Sequence, residues 1–192
     1  LGFQWRGGVE INTTGILLWS EPVITTLSSG EKVAVILMDT QGTFDSSSTV
    51  RDNSTIFALS TLTSSVQVYN LSMNIQEDDM QYLQLFTMYG QMVQDKEEGN
   101  ISPNQSKELK ELRAHIRSCF EKVLCFLMPH PGLKVQIHLK KLVSSLLSSE
   151  NLTPKTINGQ RIKAGDLFNY FKTYMTLFNS DNIPNPTSIM QV

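Results

Sequence analysis

The sequence predicts a three-layer α/β domain built on a mixed, mostly parallel sheet, and three observations carry that prediction. From Lys32 the chain runs through Val33-Ala34-Val35-Ile36-Leu37-Met38, a continuous apolar and β-branched stretch suited to a strand covered on both faces. Val123-Leu124-Cys125-Phe126-Leu127-Met128 repeats the pattern and is stopped by Pro129-His130-Pro131-Gly132. Between and after these runs, apolar residues recur at helical spacing. The chain has 192 residues, a length that suits one domain, and 40% of them are apolar, enough to bury a core. Its 16 Lys+Arg against 18 Asp+Glu leave a net charge of −2, which argues against nucleic acid as a partner. No apolar run is long enough to span a membrane, and no signal peptide opens the chain. The start at Leu1, without an initiator Met, predicts a piece of a longer product.

In chain order, Ile16-Leu17-Leu18-Trp19 reads as a short strand between Gly15 and Glu21-Pro22. Val23 to Thr26 and the turn Ser28-Ser29-Gly30 lead into the strand from Lys32 to Met38, which ends abruptly in Asp39-Thr40-Gln41-Gly42. That ending places a carboxylate and a glycine at the carboxyl edge of a sheet, where open α/β folds bind ligands. Ile56, Leu59 and Leu62 make one face of a helix over Thr55–Thr63. Ser65-Val66-Gln67-Val68-Tyr69 alternates with period two and predicts a strand.

Asp78 and Asp79 start a second helix, where the macrodipole favours negative charge, and Leu83, Phe86 and Tyr89 form its apolar face. Asp95 to Lys107 reads as a loop, and Glu108 to Phe120 as a third helix with Leu109, Leu112, Ile116 and Phe120 inward. After the apolar run 123–128 come an amphipathic helix from Leu139 to Leu147, a hairpin turning at Asn158-Gly159 and a helix from Asp166 to Phe178. Pro184-Asn185-Pro186 reads as a linker.

Asp39-Thr40-Gln41-Gly42 fits the D-x-x-G pattern of GTP-hydrolysing switches. There the Asp holds hydrated Mg²⁺ through a water, and the Gly backbone N–H approaches the γ-phosphate. Alone the tetrapeptide is equally a strand followed by a turn. A buried strand before it and a Thr in an upstream glycine-containing loop sharpen the nucleotide reading. His115, His130 and His138 have no spacing that makes a metal site. Cys119 and Cys125 lack the paired short spacing of a zinc site and read as buried, reduced thiols.

Longer runs point further. Phe3-Gln4-Trp5-Arg6-Gly7-Gly8, Thr13-Thr14-Gly15-Ile16, Met38 to Phe44, Ser48-Thr49-Val50-Arg51-Asp52, Val68-Tyr69-Asn70-Leu71-Ser72 and Cys125 to Gly132 together resemble the GTPase domain of the atlastin family. That family is dynamin-related and of the GB1/RHD3 type. The resemblance implies a P-loop-GTPase-like domain over 1–183 and the start of a linker toward a helical middle domain over 184–192. It implies GTP as substrate, Mg²⁺ as cofactor, and G-domain homodimers in full-length members. It also implies a membrane-tethering and fusing protein on the cytoplasmic face of the endoplasmic reticulum, attached through regions outside this chain.

Position by position, Thr13 resembles the switch I threonine that meets Mg²⁺ and the γ-phosphate, with Thr14 the neighbour if the register slips by one. Asp39 and Gly42 resemble the switch II pair, so Thr13 and Asp39 (through water) are the metal residues. Gln41 precedes the Gly, and its role stays unassigned. His130, Pro131, Gly132 and Leu133 resemble the start of the guanine cap. Two departures accompany the likeness. A G-x-x-x-x-G-K-[ST] P-loop is absent from these residues, with its strand, and so is an interior strand that carries a guanine-reading Arg-Asp pair. Arg51-Asp52 is not that pair, since it aligns with the switch II segment. The expectation is a partial G domain that does not itself hydrolyse GTP; the alternative is a catalytically dead, G-domain-like interaction module.

Overall fold

The computed structural model describes residues 13–42, 48–71, 75–91, 114–128 and 135–179. Four short strands open it: β1 (Ile16–Leu18), β2 (Val23–Thr26), β3 (Lys32–Val35) and β4 (Met38–Thr40). They form one bent hairpin. β2 pairs with β3 antiparallel, Val23 opposite Val35 and Thr26 opposite Lys32, and β1 pairs with β4, Leu17 opposite Asp39. The turn closes with the Gly30 N–H donating to the Leu27 carbonyl at 2.9 Å, Gly30 holding a left-handed φ of 85°.

The single strand expected over Lys32–Met38 is therefore two, broken at Ile36-Leu37. The cause lies across the ladder: between Leu18, opposite Met38, and Val23, opposite Val35, four residues face only Ile36 and Leu37, and one of the four, Pro22, has no N–H to donate, so pairing lapses there. The Trp19 N–H bond to the Leu37 carbonyl, at 2.9 Å, joins the two ladders. Nor are both faces covered, since Val33, Ala34, Val35 and Ile36 are only half-buried and Leu37 is exposed.

Helix α1 (Val50–Thr63) is the centre of the packing. One side, with Ala58, Leu59 and Leu62, joins Ile157, Tyr174 and Phe178 in a buried cluster against which Ile16 and Tyr170 pack. The other side puts Phe57 against Leu85 and Phe86 of α2 (Glu77–Gln91). Because α1 is covered on two sides, three of its hydroxyls are satisfied by its own carbonyls, while the buried Thr61 hydroxyl has no hydrogen-bond partner among the described residues. The Ser54, Ser60 and Thr63 hydroxyls donate to the carbonyls of Val50, Phe57 and Leu59 at 2.7, 2.8 and 2.6 Å. Lys155 closes the far end, donating to the Ser64 carbonyl at 2.8 Å, and its burial pushes the ammonium pKa down.

Further on come α3, helical over 114–119, then α4 (Val135–Leu146), the hairpin of β5 (Thr156–Ile157) and β6 (Gln160–Arg161), and α5 (Ala164–Phe178). The hairpin turns at Asn158-Gly159 with φ of 50° and 74°, the left-handed pair that a type I′ turn needs. An Arg161–Glu31 ion pair ties it to the β2–β3 turn.

Helices and strands thus mix as an α/β chain should, but every ladder among the described residues is antiparallel, so the mostly parallel sheet is not what they show. The expected strands 65–69 and 123–128 have no ladder partner among those residues. Val66, Val68, Val123, Leu124 and Leu127 are exposed, the last two at 78% and 85%. The reason is topological. Right-handed βαβ crossovers set consecutive parallel strands side by side, so these two segments would flank the strand expected between them. No strand lies between them among the described residues, and an apolar run without neighbours has nothing to bury against. Parts of the predicted third helix, the loop over Asp95–Lys107, the Pro184–Pro186 linker and the cap residues His130 to Leu133 lie outside the described residues.

Candidate functional site

The end of the bent hairpin gathers the residues that the sequence singled out. β4 carries Asp39 at its middle position and continues through Thr40 to Gln41 and Gly42. The chain leading into β1 passes Thr13, Thr14 and Gly15 beside it. The Thr13 hydroxyl donates to the Asp39 Oδ2 at 2.7 Å, across 26 residues of sequence. Thr13 and Asp39 are both half-buried, whereas Thr14 and Gly42 are exposed. The structure brings Thr13 and Asp39 together and leaves Thr14 without such a contact.

Gln41 organises this end. Its backbone N–H donates to the Gly15 carbonyl at 2.9 Å, and its side-chain Oε1 accepts the Gly15 N–H at 2.7 Å. Its Nε2 donates to Ser48 Oγ at 3.0 Å and to Asn53 Oδ1 at 3.3 Å. The residue is buried, 7% exposed. Gly15 takes a left-handed φ of 73°, the conformation that glycine tolerates best.

Asn53 is placed by the start of α1. Thr49 caps that helix in a reciprocal box: the Asp52 N–H donates to Thr49 Oγ1 at 3.1 Å, and the Thr49 N–H donates to Asp52 Oδ2 at 3.1 Å. The helix therefore begins five residues before the predicted Thr55. The signal was present as Thr-x-x-Asp, a capping box with Asp for Glu. The same geometry gives Asp52 a structural task, and Arg51 donates to the Phe178 carbonyl at 3.4 Å. A cavity of about 540 Å³ borders the site between Gly15 and Ile16, Arg51 and Thr55 of α1, and Phe171 and Met175 of α5.

The donor set suits Mg²⁺. A hydroxyl and a carboxylate are hard oxygen ligands, and Mg²⁺ binds through one or two protein groups while waters and phosphates complete its octahedron. No group of three His, Cys, Asp or Glu able to hold a metal occurs among the described residues. The other titratable cluster is between helices. His115 Nε2 lies 2.9 Å from Thr87 Oγ1 and 3.6 Å from Cys119 Sγ. The Thr87 hydroxyl shares its one proton between the Leu83 and Gln84 carbonyls at 2.8 and 2.9 Å. Burial pushes the His115 pKa down and the Cys119 thiol up, against opposing hydroxyl contacts from Thr87 and Ser118. That thiol is held protonated and is a packing group. Cys125 is exposed, contrary to the expectation that both cysteines are buried, because it sits in the uncovered run 123–128.

Comparison with known proteins follows the same residues. The family model for the guanylate-binding protein N-terminal domain matches residues 1–102 and 96–154. Atlastin-2 of Xenopus laevis is 44% identical over 241 residues, covering 99% of this chain and 42% of that protein. Atlastin of Drosophila melanogaster is 44% identical over 240 residues, 98% of this chain and 44% of that protein, and atlastin-1 of Bos taurus is 44% identical over 241, at 99% and 43%. The chain spans less than half the length of these relatives. The aligned spans also exceed its own 192 residues, so the relatives have positions without a counterpart here.

Proposed function

We propose that this chain, which belongs to the guanylate-binding-protein family and is atlastin-like within it, is part of a GTP-binding and GTP-hydrolysing protein that tethers and fuses membranes of the endoplasmic reticulum. The observation that carries the proposal is the 2.7 Å contact between Thr13 and Asp39 at the end of β4. Residues 1–183 are read as a partial G domain and 184–192 as the start of a linker. His130 to Leu133 are assigned to the guanine cap, and G-domain dimers and membrane attachment to the longer protein.

In this reading Thr13 and Asp39 would hold Mg²⁺, Asp39 through a water, and Gly42 would offer its backbone N–H to the phosphate. When bound, the ion neutralises charge on the transferred phosphoryl group. The chain's own residues do the placing: β4 sets the carboxylate, and the turn at Gly15 sets the hydroxyl beside it. Phosphoryl transfer leaves little covalent chemistry to the protein, so catalysis is nearly all positioning and charge neutralisation. The 192 residues contain no P-loop motif to cradle the phosphates. The chain alone is therefore assigned no turnover of its own.

Phosphate release by the purified chain with Mg²⁺ and GTP tests this, beside Asp39→Ala. The expected result is background rate for both. Turnover that needs Mg²⁺ and vanishes in Asp39→Ala would overturn the claim that the chain is inactive by itself.

A further inference from the structure

Gln41 spends every hydrogen-bonding group of its amide on three separate segments. Oε1 accepts from Gly15 at 2.7 Å, and the two Nε2 protons go to Ser48 at 3.0 Å and Asn53 at 3.3 Å. With the backbone bond from the Gln41 N–H to the Gly15 carbonyl at 2.9 Å, Gly15 is gripped on both sides of its residue. Gly15 lies two residues after Thr13, and Gln41 two residues after Asp39. The grip therefore sits one short step from the hydroxyl and the carboxylate that meet at 2.7 Å.

We propose that Gln41 is the positioning residue of the Thr13–Asp39 pair and the link that couples this pair to the first turn of α1 through Asn53. The assignment rests on the reading of the pair as part of a Mg²⁺ site, and it gives Gln41 a role unlike that of a water-orienting glutamine. A glutamine that orients an attacking water needs a free N–H and exposure to the reacting centre. Both protons of this amide are used, and the residue is 7% exposed. Satisfied buried amides of this kind hold neighbouring segments in one arrangement. Displacement of Thr13 by a bound ion is then felt at Gly15, at Gln41 and, through Asn53, at α1.

Amide hydrogen exchange on the whole chain, read residue by residue by NMR, tests the clamp. Gln41→Met keeps the size and loses every amide contact, while Gln41→Glu keeps the acceptor for Gly15 and loses the donors to Ser48 and Asn53. In Gln41→Met, Gly15 should exchange at least about tenfold faster, with Leu59 in α1 unchanged. In Gln41→Glu, Gly15 should stay protected while Asn53, whose N–H bonds the Thr49 carbonyl at 3.1 Å, exchanges faster. Equal acceleration at Gly15 and Leu59 in both variants would show general destabilisation and overturn the proposal. If Gln41→Met does not fold, the Gln41→Glu split decides the question.

Line broadening by Mn²⁺ alone supplies the second readout. Wild type should broaden at Thr13 and Asp39, and Gln41→Met, neutral and without the amide contacts, should need several-fold more Mn²⁺. Broadening that Gln41→Met leaves unchanged would overturn the Gln41 assignment alone. No broadening in wild type would overturn the metal-site reading and the positioning role with it, while the exchange pattern reports the clamp independently.

Discussion

Removing the cap of α1 should cost measurable stability, and the two halves of the box should not add. Thr49→Ala deletes the acceptor for the Asp52 N–H at 3.1 Å and the hydroxyl bond to Asp52 Oδ2 at 2.6 Å. An N-cap of this kind contributes about 1 kcal/mol, and the exposed site with its 3.1 Å bonds places Thr49→Ala near that figure or a little below. Asp52→Ala deletes the reciprocal bond to the Thr49 N–H at 3.1 Å and a favourable charge at the helix N-terminus, together also about 1 kcal/mol. Both variants remove bonds of the same box, so the double variant should cost about 1.5 kcal/mol instead of the sum.

The loss should appear in global unfolding, because α1 joins both buried clusters and cannot fray at its start without releasing Asn53 and Phe57. Urea denaturation read by circular dichroism measures it, with a midpoint shift at unchanged slope. Melting temperature should fall by roughly 2–4 °C per kcal/mol for a chain of this size. Thr49→Ser should restore most of the loss. A fully additive double variant, or no recovery with Ser, would refute the reasoning.

Leu59 is 2% exposed in the cluster between α1 and α5, so Leu59→Ala should cost about 2–5 kcal/mol in the same titration, and a loss below that would mean the cluster is not the core. Burial depresses the His115 pKa below its ordinary value of 6.5, so the unfolded chain binds the extra proton as pH falls. Stability from this group is thus complete above about pH 6.5 and lost as pH drops toward the folded value; the urea midpoint should fall from pH 7.5 to 5.5, less so in His115→Gln, and an acid-stabilised midpoint would reverse the sign. The uncovered run at 123–128 should drive concentration-dependent association, and Leu124→Lys with Leu127→Lys should reduce it in static light scattering; unchanged scattering would assign association to another surface.

How far the fold was legible follows from which interactions are local. The Asn158-Gly159 turn, α5 and most of α1 depend on neighbours in sequence, and all were read from turn chemistry or helical spacing. The Thr49–Asp52 box was equally local; its signature stood in the sequence and would have moved the start of α1 back to its place. The break at Ile36-Leu37 is invisible locally, because the extra residues of the partner segment, Pro22 among them, cause it from across the ladder. Runs 65–69 and 123–128 have the composition of buried strands, yet a strand exists only through a neighbour's backbone, and composition does not report whether that neighbour is there. The site divides the same way. Asp39 is marked by a motif and Thr13 by a resemblance, while Gln41 stands in the same motif but its role does not, because its partners lie 26, 7 and 12 residues away.

The central claim is that Thr13 and Asp39 are the retained part of a Mg²⁺–GTP site. The most direct measurement uses a chimera in which the positions absent here, the P-loop and the interior strand included, are supplied from the aligned Drosophila relative. The account predicts Mg²⁺-dependent GTP hydrolysis by this chimera, lost by at least about a hundredfold in Asp39→Asn with its melting temperature little changed, since electrostatic stabilisation of the transition state is worth that much or more. A folded chimera that hydrolyses GTP equally well with Asp39→Asn would contradict it.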